Sequence, residues 1–205
     1  MFPNHNSCAL PLRVLRDSGG WQARRVKWHL RRGGVIAYPT QGVYGLGVHP
    51  RNALGLRQLA RLKGRSSSKG FIVLGAEYGQ LQCFTDEVLT SLDKVWQAKW
   101  PGHYTWLFPV GRRVFPILRG KTKINGKYRI ALRLDNYAPV RALCQALNSP
   151  IVSTSANFRG QRPCTTPRQC LHQWGRRVLV LGGRVVSHQR PSPIQDAMTG
   201  KMIRF

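Results

Sequence analysis

Residues 35–47 read Val-Ile-Ala-Tyr-Pro-Thr-Gln-Gly-Val-Tyr-Gly-Leu-Gly, and their order decides the fold class. Residues 35–38 form a short apolar run suited to a buried strand, and Pro39 ends it at a glycine-rich turn, PTQGVYGLG. Before it lies a helical pattern over residues 21–32, with Trp21, Val26 and Leu30 roughly on one face and Gly33 and Gly34 as its stop. After it, Asn52 can cap a second helix that carries Leu56, Leu59 and Leu62 and ends near Lys63 and Gly64. Helix, strand, turn and helix in succession are the alternation of a layered α/β protein.

The alternation continues along the chain. A polar loop, KGRSSSKG, feeds a strand over residues 71–74, and a third helix is expected around residues 86–99. Trp100-Pro101-Gly102 then turns into a strand over 105–110. Residues 111–127 are basic and turn-rich, which predicts an exposed excursion. RIALRL at 129–134 alternates as a strand does, 139–147 reads as a helix, and 150–155 and 178–181 read as strands. No repeat, low-complexity linker or change of composition divides the chain. The expectation is one α/β domain over residues 21–205, a layered sheet flanked by helices, with residues 1–20 as an N-terminal extension.

Charge is the extreme property. Lys and Arg number 33, of which 24 are Arg, against 7 Asp and Glu, for a net charge of +26. No acid lies between Asp17 and Glu77 or between Asp135 and Asp196. Such an excess favours polyanions, nucleotides or RNA among them. It also leaves too few carboxylates for a paired-acid hydrolase or a protein-built magnesium cage. The six histidines are dispersed, without the spacing of metal ligands, so no metal site is expected. The five cysteines are odd in number and contain no C-x-x-C pair, which points to a reducing compartment. No apolar run is long enough to span a bilayer. The first 20 residues lack the apolar core of a secretory signal, and although arginine-bearing and nearly acid-free they are short and interrupted by proline, so the expected location is the cytoplasm.

Four loops carry small polar or cationic groups. The first runs from Thr40 to Gly47, where Gly42, Gly45 and Gly47 allow a ligand to approach the backbone; it matches neither a Walker loop nor G-x-G-x-x-G. The second places Lys63, Arg65 and Lys69 around three serines at a helix end, a set suited to phosphate oxygens. The third, Trp100 to Thr105, leads into a strand. The fourth, IVSTSAN at 151–157, ends an apolar strand in Ser153, Ser155 and Asn157, which point the same way by alternation.

Taken in order, VIAYPTQGVYGLG, LKGRSSSKGFIVL, WPGHYTWLFP, ALRL at 131–134, PIVSTSANFRG and the tail PSPIQDAMTGKMIRF resemble the YrdC/TsaC family of threonylcarbamoyl-adenylate synthases. The resemblance runs from about Trp21 to the end. It implies a twisted mixed sheet with a concave basic cleft, and a reaction in which L-threonine, bicarbonate and ATP give threonylcarbamoyl-AMP and pyrophosphate. ATP is then a substrate, with Mg²⁺ held mainly by its phosphates. Partner proteins pass the threonylcarbamoyl group to the adenosine beside the tRNA anticodon, and direct binding of tRNA or double-stranded RNA is a further expectation. The family's K-x-R and S-x-N tetrad falls on Lys63, Arg65, Ser155 and Asn157. Its other cleft positions fall on Thr40, Tyr44, Lys69, Thr105, Arg133, Ser153 and Ser192. Longer members carry an additional C-terminal domain that this sequence does not include.

The chemistry suits such residues. A carbamate oxygen is already anionic, so its attack on a phosphorus needs alignment and neutralised charge more than a strong base. The sequence departs from the family at Ser66, where proline is frequent, at Gln41-Gly42-Val43, which lacks a second threonine, at His49, where an acid is common, and at Pro193. The competing readings are an RNA-binding or ribosome-maturation protein that uses the same cations without catalysis, and a carbamoyl-transfer domain with another acceptor.

Overall fold

A computed structural model describes residues 10–11, 21–64, 69–90, 94–121, 123–186 and 191–204. Of the predicted N-terminal extension only Leu10–Pro11 falls among these, as a short strand, β1, parallel to a later one.

The first helix, α1 (Trp21–Arg31), buries Ala23, Val26 and Leu30 and turns its arginines outward. It leads into β2 (Ile36–Pro39), which is fully buried. The predicted glycine-rich turn is shorter than its sequence suggests, because Tyr44–Gly47 forms a second buried strand, β3, antiparallel to β2. The reason is steric. A Cβ on Gly47 would lie 2.7 Å from the Tyr38 ring and 2.8 Å from the Val152 carbonyl, while Tyr44 and Leu46 fill the opposite face. Glycine there lets the hairpin close on itself.

The second helix, α2 (Ala53–Lys63), begins at Asn52, whose side chain accepts from the Gly55 amide, and stops at Gly64 in the left-handed conformation. Then come β4 (Ile72–Gly75), α3 (Tyr78–Gln82), β5 (Thr105–Pro109) and α4 (Pro116–Arg119). A hairpin of β6 (Lys123–Ile124) and β7 (Lys127–Leu134) follows, so the basic excursion is partly ordered. The helix expected at residues 86–99 is not formed by its described residues. They make turns that wrap Trp96, whose indole N–H donates to the Leu89 carbonyl at 3.0 Å. The third helix is instead the five-residue α3, upstream. The remainder is α5 (Ala138–Leu147), β8 (Ile151–Ser155), α6 (Pro167–Trp174), β9 (Leu179–Gly182), β10 (Ile194–Asp196) and β11 (Met202–Arg204).

One mixed sheet runs β1-β9-β2-β3-β8-β4-β7-β5-β10-β11, with β6 hydrogen-bonded to β7. Alternation along each strand sends side chains to two separate cores. Tyr38, Ile151, Leu74 and Leu181 meet α1 and α5 on one face. Tyr44, Val152, Leu132, Trp106 and Phe108 meet α2, α6 and the tryptophan-rich turns on the other. Two buried ion pairs lie at the far side: Arg129 with Asp196, which ties β7 to β10, and Arg133 with Asp135, two residues apart at the end of β7. Asp196 also accepts from the Met198 and Thr199 amides at 3.1 and 2.8 Å and from the Thr199 hydroxyl at 2.9 Å. Burial pushes the Asp196 carboxyl up, but the bonds from Arg129 and Thr199 outweigh it and leave it below its ordinary value.

The glycine hairpin yields a direct check. Gly47→Ala forces its methyl group against Tyr38 and a backbone carbonyl, so chemical denaturation will register a loss of about 1–3 kcal/mol. Gly79→Ala, at a position with nothing within 4 Å of the added carbon, will leave the stability unchanged or slightly raised.

Candidate functional site

The site begins with a strand whose alternation is cut short. Ile151 and Val152 of β8 enter the two cores, and the strand then runs out into Ser153, Thr154 and Ser155, all partly exposed. Beyond it the chain is clamped to β3: the Ala156 amide donates to the Tyr44 carbonyl at 2.7 Å, and the Cys164 amide donates to the Ala156 carbonyl at 2.9 Å. This clamp presents Asn157 toward the end of α2.

Lys63, the last residue of α2, meets it there. Its ammonium donates to the Ser155 carbonyl at 2.8 Å, to the Asn157 side-chain oxygen at 2.9 Å, and to the Asn157 carbonyl. The Ser155 hydroxyl donates to the same side-chain oxygen at 2.6 Å, and the Asn157 amide group donates to the Gln161 carbonyl at 2.7 Å. Three of the four tetrad residues thus form one hydrogen-bonded unit. Arg65 lies outside the described residues. Lys69 is exposed and pairs across an isolated bridge with Gly120, which brings the basic excursion beside the loop.

A second group forms over Gly45. A Cβ at that glycine would meet the Thr40 methyl at 3.1 Å, the Ser153 hydroxyl at 3.2 Å and the Tyr38 ring at 3.5 Å, so the absence of a side chain lets these three converge. Thr40 itself closes the turn, its hydroxyl donating to the Val43 carbonyl at 2.7 Å. Tyr38 is fully buried, with its hydroxyl close to that of Ser153. Burial pushes its pKa well above the ordinary value, so it stays a neutral donor.

The third group comes from the strands on the other side of β4. Leu74 of β4 is level with Arg133 of β7, and Thr105 of β5 is level with Ile194 of β10. The Thr105 and Ser192 hydroxyls are 2.9 Å apart and buried. Arg204 donates to the Ser192 carbonyl at 3.0 and 2.7 Å. Its pKa is held below the ordinary value, first by burial and then by the charge of Arg133. Arg133 has Asp135 as its counter-ion; Arg204 has no acid partner among the described residues. Two guanidinium groups close together with one carboxylate between them constitute a place for an anion.

Among the expected site residues, Tyr44 stands apart. It points into the opposite core, and its hydroxyl donates to the Gly183 carbonyl at 2.8 Å and the Leu181 carbonyl at 3.2 Å. Burial raises its pKa as well. Its hydroxyl joins β3 to the end of β9 and the residue after it. Sequence reading missed Arg204 and Tyr38. The first is one arginine among 24, and the second sits in an apolar run where a strand residue would be read as core. It also missed a cavity of about 850 Å³ next to Asn157, lined by Phe158, Gln161, Arg162, Arg168 and His172 among others. No group of three or more metal-ligating side chains occurs among the described residues, and no described helix is long and apolar enough to cross a membrane.

Comparison with known proteins places this geometry. A model of the Sua5/YciO/YrdC family, described as "Telomere recombination", matches residues 29–204. A threonylcarbamoyl-AMP synthase of Thiobacillus denitrificans is 44% identical over 176 residues, 86% of this chain and 91% of that protein. Among solved structures, a double variant of P. abyssi Sua5 superposes with a TM-score of 0.81 at 22% identity, covering 97% of this chain and 59% of that one. P. abyssi Sua5 complexed with L-threonine gives a TM-score of 0.75 at 23% identity, over 86% of this chain and 51% of that one. The chain therefore spans between half and three fifths of those solved proteins.

The position of Tyr44 can be tested directly. Tyr44→Phe removes hydrogen bonds to two carbonyls, so it will lower unfolding stability by about 1 kcal/mol. Ligand affinity, measured by calorimetry, will stay within about twofold, a ratio equivalent to under half a kcal/mol.

Proposed function

The chain belongs to the Sua5/YciO/YrdC family, and from that premise we propose that it is a threonylcarbamoyl-AMP synthase, a nucleotidyltransferase acting on L-threonine, bicarbonate and ATP. The observation that carries the reading is the Lys63–Ser155–Asn157 unit, which joins a cationic loop to the open end of β8. The chemistry requires little more than placement. The threonine amine and bicarbonate condense to a carbamate with loss of water. One carbamate oxygen then attacks the α-phosphorus, and the bond from that phosphorus to the bridging oxygen breaks as pyrophosphate leaves.

The residues divide between the two substrates. Thr40 and Ser153, drawn together over Gly45, form a narrow polar end suited to a small amino acid, with Arg133 near enough to influence the Tyr38 hydroxyl beneath them. Lys63, Arg65, Lys69 and Arg204 supply positive charge for the phosphates. Ser155 and Asn157 hold the Lys63 ammonium in place, and Thr105 and Ser192 fix the segment against which Arg204 leans. Preorganised cations of this kind stabilise charge that grows on the departing pyrophosphate. The cavity beside Asn157 has room for a nucleoside.

Asp135 and Asp196 are buried and held by arginines, so neither is open to a divalent ion. Mg²⁺ accordingly belongs to the substrate, as the metal complex of ATP. The product would be passed to tRNA-modifying partner proteins in the cytoplasm, for transfer to the adenosine beside the anticodon.

The decisive assay is pyrophosphate release from ATP that depends on both threonine and bicarbonate. Lys63→Ala and Asn157→Ala will each lower kcat/KM by about 10²-fold or more, the loss seen when a preorganised charge-stabilising group is removed. Arg204→Met will raise the KM for ATP more than that for threonine. Folded wild-type protein that releases no pyrophosphate under these conditions would overturn the proposal. Variants that bind RNA unchanged while the wild type is inactive would instead favour a non-catalytic RNA-binding protein.

A further inference from the structure

Helix α1 buries a narrow apolar strip and turns a strongly cationic face to solvent: Arg24, Arg25, Arg31 and Arg32 are all exposed. In their midst Trp28 is 59% exposed, with the Arg32 guanidinium 4.6 Å from its ring centroid. An exposed indole among guanidinium groups offers a flat face on which a planar ring can stack. The cations are arranged unfavourably for the helix itself. Lys27 and Arg31 are four residues apart, and like charges at that spacing weaken a helix. No acid occurs anywhere in α1 to offset them.

The start of α2 lies alongside. The Asn52 side-chain amide donates to the Leu30 and Arg31 carbonyls at 3.1 and 2.7 Å, which fixes the two helices at their meeting point. Beside this meeting point, between α1, the turn before α2 and the segments around α3 and the end of α5, opens a cavity of about 840 Å³ whose lining includes Lys27, Arg31, His49 and Arg51, with Glu77 as its one acid. This opening shares no residue with the synthase site. Its cations come from α1 and from the turn that precedes α2, and a set of that kind suits a phosphate.

We propose that the solvent face of α1 and the cavity it shares with the start of α2 bind single-stranded nucleic acid, with a backbone phosphate held by Lys27, Arg31 and Arg51 and an unpaired base stacked on Trp28. Charge and an exposed indole together are the pairing that such a ligand needs. A membrane surface fits less well. The large apolar side chains exposed here are Trp28 and, on α2, Leu54, too few for a strip that could enter lipid. The proposal does not depend on the synthase activity, because it rests on residues outside that site.

The test is fluorescence anisotropy of labelled oligonucleotides, single-stranded RNA and single-stranded DNA of one sequence and a duplex of the same length, titrated with the full-length protein at several salt concentrations. Trp28→Ala will weaken single-strand binding about tenfold and leave the salt dependence unchanged, as loss of stacking does. Arg31→Gln with Arg51→Gln will weaken it by about as much and lower the salt slope by about one to two units. Arg112→Gln with Arg113→Gln removes the same charge from another exposed turn and will change binding less than threefold, about 0.7 kcal/mol. Pyrophosphate release by the same variants, together with their circular dichroism, reports that they are folded. Preference between the RNA and DNA strands identifies which nucleic acid is the ligand, and either supports the site. Equal loss in the control pair, no effect of Trp28→Ala, tighter binding of the duplex, or Trp28-dependent binding to anionic phosphatidylserine vesicles in place of oligonucleotides would each overturn it.

Discussion

The ammonium group of Lys63 is the contact on which the rest of the site depends. It stands at the C-terminal end of α2, where a cation is favoured by the helix dipole. It reaches across to the carbonyl and side-chain oxygens that follow β8. Helix α2 packs on one face of the sheet, while Ser153 and Ser155 belong to the other side of the strand. One side chain therefore fastens a helix of one layer to the open end of a strand that faces the opposite layer. The left-handed Gly64 immediately after it turns the chain toward the serine-rich loop.

The sheet is the second constraint. Its strands alternate between two cores, and at the site the alternation gives one face hydroxyls and guanidinium groups where the other keeps tryptophan, phenylalanine and leucine. Glycines 45 and 47 allow β3 to lie flat beneath the Tyr38 ring. A side chain at either position would raise the floor of the site. Buried charge is handled sparingly. Arg129 is closed off with Asp196, whereas Arg133 shares its surroundings with Arg204, which has no acid partner among the described residues.

Much of this was legible in the residues. The 35–38 strand, the Asn52-capped helix, the RIALRL strand and the strand ending in STSAN all occur within a residue or two of their predicted bounds, because each combines a clean periodicity with a marked stop. The tetrad residues Lys63, Ser155 and Asn157 do meet. What was not legible depended on contacts between distant segments. Tyr44-Gly-Leu-Gly has two glycines in four residues and reads as a turn, and only the pressure of Tyr38 makes it a strand. Residues 86–99 have helical spacing, but the burial of Trp96 holds the described ones among them in turns. Arg204 could not be separated from its neighbours by composition, since its meaning comes from Ser192 and Arg133 across the sheet. The hydrogen bonds of the Tyr44 hydroxyl to Leu181 and Gly183 likewise depend on a segment some 137 residues away in the chain.

The carboxylate of Asp196 has a consequence for how this protein meets acid. Because its pKa is lower folded than unfolded, the proton binds the unfolded chain more readily, so the charged form favours the native state above its ordinary value of 3.8. As the pH falls below that value, this contribution drains away, and it is gone once the medium passes the folded pKa. Protonation there would release Arg129 and the Thr199 turn together, leaving a buried guanidinium without a counter-charge in a chain already crowded with positive ones. Acid therefore weakens the tie between β7 and the β10–β11 hairpin that carries Arg204.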